Sequence, residues 1–288
     1  MQTIIVSDRF DQKKLDRFLL EQFPTLSFNA IQKALRKKDI RINGAKINQN
    51  VTLSEGDEIA LYITDDILYG LEIVYEDENI FVVNKKPGIS VHADKHDGKM
   101  TLVELVERHF MAQPDITPQL CHRLDHYTGG LVVFAKNSEA HDIIVDKMTK
   151  HEVVKTYMTV VKGCPEPPEA MLTHYLLKDS DLSTVKVFNN PQNGALTAKT
   201  YYRVVSTDGT ISRVEVTLIT GRTHQIRAVL AHVGHPIIGD DKYGDRMLNK
   251  DYGHRYQTLW ATKMKFNFTG NSILDNLNGM TIEVKSGF

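Results

Sequence analysis

The sequence predicts an α+β protein in two parts, a small N-terminal domain over residues 1–64 and a larger one over 72–288, joined by a linker at 65–71. Three observations carry this. At 288 residues the chain exceeds the usual size of one domain, so a small module beside a larger one is the natural expectation. Two helical patterns, then a tight hairpin signal and one more strand, fill the first part. In the second, strand patterns at Lys155–Gly163, Met171–Leu176, Thr184–Phe188, Ala198–Val205 and Ser212–Leu218 follow one another with no helical pattern between them. Strands in unbroken succession pair antiparallel, which points to a mixed, largely antiparallel sheet and away from a doubly wound fold.

Within the first part, Leu15, Phe18, Leu19 and Phe23 recur at helical spacing, and Pro24 ends that helix. Ser27 is a good N-cap for a second helix with Ile31, Ala34 and Leu35 inward and Lys33, Arg36 and Lys37 on the other side. Asn43-Gly44 between Ile40–Ile42 and Ala45–Ile47 is the strongest short hairpin signal, and Ile59–Ile63 alternates as a further strand. Lys33, Arg36, Lys37, Lys38, Arg41 and Lys46 collect at the second helix and the hairpin edge, a surface suited to gripping phosphates. A charge run alone is more often only a solvated face.

Asp65 to Gly70 lacks periodicity and reads as linker. Ile73–Tyr75 and Ile80–Asn84 flank an acidic turn, and Thr101 caps a helix carrying Leu102, Leu105, Val106 and Phe110. Leu131–Ala135 is an apolar strand entered through a Gly129-Gly130 turn, Ser138–Met148 is helical, and a helix opens near Arg222 and closes at Gly234. Leu259–Phe268 supplies the last strand pattern.

Composition narrows the function classes. A hydrophobic fraction of 41% and a charged fraction of 25% belong to an ordinary globular chain. A formal charge of -1 excludes coating nucleic acid by bulk electrostatics, so any RNA site must be a local patch. The two cysteines, Cys121 and Cys164, lack metal-ligand spacing and suit a reducing compartment. No start of secretory type and no apolar run of about 18 residues occurs, so the cytoplasm is expected and a membrane is not. His224 and His232 have no acidic or thiol partners at ligand spacing, and no glycine-rich phosphate loop is present, so neither metal nor nucleotide cofactor is expected. His122 reads as a hydrogen-bonding core residue, while His92, His96 and His109 have no obvious partners.

The most informative stretch is HRLDHYTGGLVVFAK, residues 122–136, where Arg123 and Asp125 stand two apart just upstream of the apolar strand. By residue type alone an Arg-Leu-Asp triplet is more often a capped turn than a catalytic pair. The whole run, however, closely resembles the signature HRLDxxTSGLLxxAK of the RluA family of pseudouridine synthases, which isomerise uridines in ribosomal and transfer RNA. Residues 84–92, NKKPGISVH, resemble the family's NKPxGLxVH, and 257–261, QTLWA, its QxLHA. This chain departs from the pattern at Gly129 (usually Ser), at Lys86 (usually Pro) and at Trp260 (usually His). The N-terminal order of elements is similar to the alpha-L RNA-binding domain first known from a small-subunit ribosomal protein.

The resemblance implies a cofactor-free RNA isomerase with Asp125 as its catalytic carboxylate; attack on the sugar, attack on the base and removal of a sugar proton are all open to it. By the same resemblance Arg222 pairs with that carboxylate, Tyr157 packs against the target base and Ile226 completes the pocket. Arg123 enters the RNA where the base leaves. The implied partner is RNA, ribosomal RNA first and transfer RNA second, with no obligate protein partner. A binding module without turnover and a hydrolytic N-glycosidase are the rival readings. The first would release no hydrogen from uracil carbon 5, and the second would yield free uracil.

Overall fold

The computed structural model describes every residue except 1, 24–25, 69, 93–99, 112, 180–182 and 255, together with the side chains of 65 and 66. His96 and Pro24 therefore lie outside the described residues. Residues 1–73 with 95–115 form one compact unit, and residues 74–94 with 116–288 form a second.

The first unit contains β1 (Gln2–Ile5), α1 (Leu15–Gln22), α2 (Phe28–Lys37), β2 (Ile40–Ile42), β3 (Ala45–Lys46), β4 (Glu58–Leu61), α3 (Asp65–Leu68) and α4 (Leu102–Phe110). Its sheet runs in the order β1-β4-β2-β3. Ser27 caps α2 by accepting the Ala30 N–H at 3.2 Å, and the helix buries Ile31, Ala34 and Leu35. Its basic residues therefore face away from that apolar side. Asn43 and Gly44 both have positive φ, 49° and 79°, the left-handed pair that a two-residue hairpin needs. The Asn43 side chain then ties the hairpin to β4, donating to Asp57 Oδ1 at 2.8 Å and accepting the Glu58 N–H at 2.9 Å.

Two expectations are corrected here. Part of the linker folds into α3, a single turn with Leu68 buried at its end and Leu71 buried beyond it, and one turn is too short to show a period. Helix α4, assigned by chain order to the second part, belongs to the first unit. Thr101 and Glu104 form a capping box at its start, and Arg108 near its end donates to the Gln22 carbonyl at the end of α1, 3.2 Å away.

The second unit is organised on one large sheet. Its elements are β5 (Ile73–Glu76), β6 (Ile80–Lys85), β7 (Gln119–Leu120), β8 (Gly129–Ala135), α5 (Ser138–Thr149), β9 (Val153–Lys162), β10 (Glu169–Asp179), β11 (Thr184–Phe188), β12 (Leu196–Thr207), β13 (Ile211–Leu218), α6 (Gln225–His232), α7 (Arg246–Tyr252), β14 (Leu259–Phe266) and β15 (Thr281–Glu283). The strand order is β11-β10-β12-β13-β9-β14-β8-β6-β5, with β15 beside β14 and β7 beside β8. β8 and β14 run parallel, whereas β9 to β13 pair antiparallel with their neighbours in this order. Ile80, Val82, Leu131, Val133, Ile144 and Phe266 share one core under α5, and Leu176, Val185, Ala198, Ala228 and Val229 share another under α6.

Gly129 and Gly130, read from sequence as a turn, are the first two residues of β8. Gly130 has φ 110°, and a Cβ there would lie 2.2 Å from the Ala261 carbonyl oxygen, so the parallel pair can close only on glycine. The register then lines up Lys85, Gly130, Ala261, Tyr157, Val216 and Tyr202 across six strands. Cross-strand partners share a face, so Lys85 and Tyr157 stand on one side of the sheet with no side chain larger than a methyl group between them. Trp260 and Asn84, one residue earlier on their strands, face the other side and bond there, indole Nε1 to Asn84 Oδ1 at 3.1 Å.

Candidate active site

Asp125 lies on the loop between β7 and β8, and that loop is pinned on both sides of it. Upstream, Leu124 is buried, and His122 Nε2 accepts the Val133 N–H of β8 at 3.2 Å. Burial, and after it the charge of Lys155, pushes the His122 imidazole down to about 3, so the ring is neutral and serves as an acceptor. Downstream, the Thr128 N–H closes a turn on the Asp125 carbonyl at 3.1 Å, and Gln257 Nε2 donates to Thr128 Oγ1 at 2.7 Å. The His126 carbonyl accepts both the Gly88 N–H and Lys85 Nζ, each at 3.0 Å. The last two bonds join the loop to the Lys85–Val91 turn, where Ser90 Oγ also meets His126 Nδ1 at 2.6 Å.

The cation that pairs with Asp125 is Arg227. Its Nη1 donates to Asp125 Oδ2 at 3.0 Å, while Nε and Nη2 form a two-point bond with Asp240 at 2.7 and 3.0 Å. Among the described residues no hydrogen bond occupies Asp125 Oδ1, and the side chain is 27% exposed. Oδ2 is thus held, and Oδ1 is left without a bond of its own. Burial opposes the Arg227 charge, but the Asp240 bonds and the charges of Asp240 and Asp125 outweigh it and raise its pKa. Asp240 is buried, which favours its neutral form, yet the Arg227 bond and charge and the N–H groups of Tyr243 and Lys242 bring its pKa below the usual range. The guanidinium also lies over the Tyr243 ring, 5.3 Å from its centroid.

This corrects the expectation for Arg222. Arg222 sits in the exposed turn before α6, where its Nε donates to the Thr197 carbonyl at 3.2 Å and its N–H is taken by Gln225 Oε1 at 3.0 Å. Arg227 is five positions later, within α6, where every residue from Gln225 to Leu230 is buried and the guanidinium reaches Asp125. Both arginines belong to the same GRTHQIR run, and spacing alone does not tell which of them faces the acid.

Tyr157 is buried; burial first and the Asp125 charge second raise its phenol pKa, so it is a neutral ring beside the carboxylate. Lys85, 1% exposed, donates to the carbonyls of Lys86, Ile89 and His126. Burial brings it down to about 7, against the opposing pull of Asp125. Ile226 is buried on α6 beside Arg227, and Arg123 is exposed, its guanidinium forming no hydrogen bond among the described residues. Lys33, Arg36, Lys37, Lys38 and Lys46 of the first unit are exposed, whereas Arg41 is half-buried with its guanidinium 4.6 Å from the Tyr62 ring centroid. Among the described residues no group of three or more potential metal ligands occurs, and no helix is long and apolar enough to cross a membrane.

Sequence reading missed Arg227, Asp240, Tyr243 and Lys85. Lys85 lay inside a quoted motif, and an inward cation flanked by apolar residues on a helix, Ile226-Arg227-Ala228-Val229, was the available signal for Arg227. Two departures from the family signature also meet in space. A Cβ at Gly129 would lie 2.4 Å from the Trp260 ring and one at Gly287 2.5 Å from it, so the indole occupies a slot that needs glycine on both sides.

A sequence profile of the RNA pseudouridylate synthase family matches residues 79–232, which contain the Asp125 loop, Tyr157 and Arg227. The chain is 30% identical over 257 residues to ribosomal large subunit pseudouridine synthase D of Buchnera aphidicola, covering 86% of this chain and 79% of that protein. It is 32% identical to ribosomal large subunit pseudouridine synthase C of Rickettsia felis, over 81% of this chain and 82% of the relative. The fold resembles that of human RNA pseudouridylate synthase domain containing 4, with a TM-score of 0.63 at 23% identity over 78% of this chain and 94% of that one. A carboxylate loop closed onto a buried arginine, within a matched segment spanning more than half the chain, makes this protein a member of the RNA pseudouridine synthase family.

Proposed function

We propose that this protein converts a specific uridine of large-subunit ribosomal RNA to pseudouridine, with a transfer RNA uridine as the rival substrate, and that Asp125 is its catalytic group. The observation that carries the reading is the Asp125–Arg227 ion pair at 3.0 Å, which leaves the other carboxylate oxygen without a hydrogen bond among the described residues. Isomerisation breaks the bond from C1′ to N1, turns the uracil and joins C5 to C1′. A proton leaves C5 and one is taken up at N1, so atoms balance without oxidant, reductant or cofactor. The target base has to leave its stack to reach a carboxylate held this far inside a fold.

Tyr157 offers the flipped uracil a flat, neutral surface, and Ile226 an aliphatic one. Arg123, an exposed planar cation two residues from Asp125, fills the place the base vacates. The exposed lysines and Arg36 of the first unit, with Arg41 beside them, grip RNA phosphates in the manner of the alpha-L domain. The reaction takes place in the cytoplasm and needs no obligate protein partner. Relatives named for the ribosomal large subunit support the choice of RNA.

The test uses ribosomal and transfer RNA transcripts labelled with tritium at uracil C5. Wild-type protein is expected to release the label from one of them, and Asp125→Asn to release none while binding that RNA within about twofold. Label release by Asp125→Asn at the wild-type rate would overturn the catalytic assignment. Release from transfer RNA alone would move the substrate to the rival.

A further inference from the structure

His224 opens α6 in a left-handed backbone conformation, φ 50° and ψ 20°, and its side chain makes no capping bond to the helix it begins. Glycine or asparagine suits that conformation better, and serine, threonine or aspartate would cap. The histidine at this position therefore serves neither helix nor backbone. Its ring turns toward the acid instead. Nδ1 lies 2.9 Å from Tyr243 Oη, and Nε2 lies 3.9 Å from Asp125 Oδ2, with the side chain 14% exposed.

The tautomer follows from bond counting. Tyr243 Oη accepts the Val185 N–H at 2.7 Å, which leaves the phenol its own proton to donate. Among the described residues the acceptor within reach of that proton is His224 Nδ1. Nδ1 is then the acceptor and Nε2 carries the hydrogen. Burial, the Arg227 cation and Lys242 favour the neutral ring; Asp125 and Asp240 oppose them, and the balance falls on the neutral side of the usual value.

A distance of 3.9 Å is too long for a hydrogen bond to Asp125, so the Nε2–H is unspent beside a carboxylate whose Oδ2 Arg227 already holds. A nucleotide in contact with that carboxylate comes within reach of this donor. We propose that His224 is a substrate contact whose neutral Nε2–H donates to a uracil carbonyl oxygen of the target uridine. This rests on the isomerase reading. When the C1′–N1 bond breaks, its electron pair goes to the uracil, whose charge spreads onto the carbonyl oxygens. A preplaced neutral donor stabilises that charge without quenching Asp125.

Four variants and one kind of spectrum test this. At saturating RNA, His224→Asn keeps an acceptor for Tyr243 but has no donor at the Nε2 position, and its single-turnover rate is expected to fall by about 100- to 1000-fold. His224→Gln, which can place an amide N–H near that position, should stay within about tenfold of wild type. His224→Gly relieves the left-handed backbone but takes the acceptor from the Tyr243 phenol, so its thermal midpoint should change little while its rate falls like that of His224→Asn, a split that a purely structural role would not produce. In ¹⁵N spectra of histidine-labelled wild-type protein at pH 7, His224 should have Nε2 protonated and Nδ1 bare, and Tyr243→Phe should remove that preference. An imidazolium or an Nδ1–H tautomer at pH 7, or a His224→Asn rate equal to wild type, would overturn the proposal. Failure of the wild-type protein to release label from any RNA would instead sink the isomerase reading, and the spectrum would still report the tautomer without RNA.

Discussion

Arg227 and Lys85 of the second unit are 4% and 1% exposed, and every side-chain nitrogen on them donates to a named oxygen. Lys33, Arg36, Lys37, Lys38 and Lys46 of the first unit carry the same charge on side chains that reach into solvent. The buried pair is held in one geometry and pays for desolvation with two carboxylates and three carbonyls. The exposed set has no fixed partner among the described residues and is free to follow a flexible polyanion. Desolvation decides the difference: a cation that must fix one carboxylate oxygen is worth burying, whereas one that must meet many phosphates is worth more hydrated and mobile.

The strongest way to break this comparison is to remove the buried guanidinium. Arg227→Met leaves Asp240, 1% exposed, without its two-point partner, and the expected loss is about 3–5 kcal/mol of stability together with turnover. Arg227→Met/Asp240→Leu should regain much of the stability and none of the turnover, because the orphaned charge is gone but Asp125 Oδ2 is still unheld. Denaturant titration separates the two effects. Full activity in the double variant would end the claim that Arg227 acts through Asp125.

A smaller effect is expected at the slot around Trp260. Gly129→Ser puts an atom 2.4 Å from the indole and should cost about 1–3 kcal/mol, while Gly129→Ser with Trp260→His should cost clearly less than the sum of the two single changes. Additivity would show that the two departures are unrelated.

Lys85 gives a prediction with a definite sign. Its folded pKa, about 7, lies below the ordinary 10.5, so between those values the unfolded chain binds more protons and stability rises with pH. The slope attributable to this residue is at most about 1.4 kcal/mol per pH unit and should vanish in Lys85→Met. Because the charge of Asp125 supports that of Lys85, Asp125→Asn should extend the rising region below pH 7. Thermal midpoints from pH 6 to 10 for the three proteins decide it.

How much of this was readable beforehand depended on whether the information was local. The Asn43-Gly44 hairpin, the Ser27 cap and the succession of strands from 155 to 218 are written in neighbouring residues, and the structure has them at or near the expected positions. The short strand β1 was not anticipated, because its partner β4 lies more than fifty residues away. Gly129 and Gly130 looked like a turn because glycine pairs usually are. Pairing with β14, and for Gly130 with Lys85 of β6 as well, is what makes them strand residues, and a sequence does not display it. Asp125 was legible through its motif. Its partner was not, since Arg222 and Arg227 are equally basic and only the burial of α6, against the exposed turn before it, distinguishes them. Gly129 and Trp260 were separately visible as departures, but their contact follows from register.

The exposed basic set should behave in the opposite way to Arg227. Lys33→Ala, Arg36→Ala and Lys37→Ala together should weaken RNA binding and reduce the slope of log affinity against log salt by about 0.7–0.9 for each phosphate no longer neutralised. The single-turnover rate at saturating RNA should stay within about twofold. A fall in that rate with an unchanged salt slope would put these residues in the chemistry and not in the grip.

The smallest effect is expected at Arg222, and it separates the two arginines of one motif. The Arg222 guanidinium is exposed, and its one bond among the described residues, Nε to the Thr197 carbonyl at 3.2 Å, reaches a group that water can serve equally well. Arg222→Ala should change stability by less than about 0.5 kcal/mol, the range of surface substitutions that break no network. The turn it occupies is kept by a backbone bond, the Arg222 N–H to Gln225 Oε1 at 3.0 Å, which alanine preserves. The rate for bound RNA should therefore match wild type within about twofold, with any loss confined to affinity and removed by more RNA. Denaturant midpoints and single-turnover rates for Arg222→Ala and Arg227→Met, measured side by side, decide the matter. If Arg222→Ala lost turnover as Arg227→Met does, the exposed arginine would have to swing onto Asp125 when RNA binds, and the buried pair would be scaffolding.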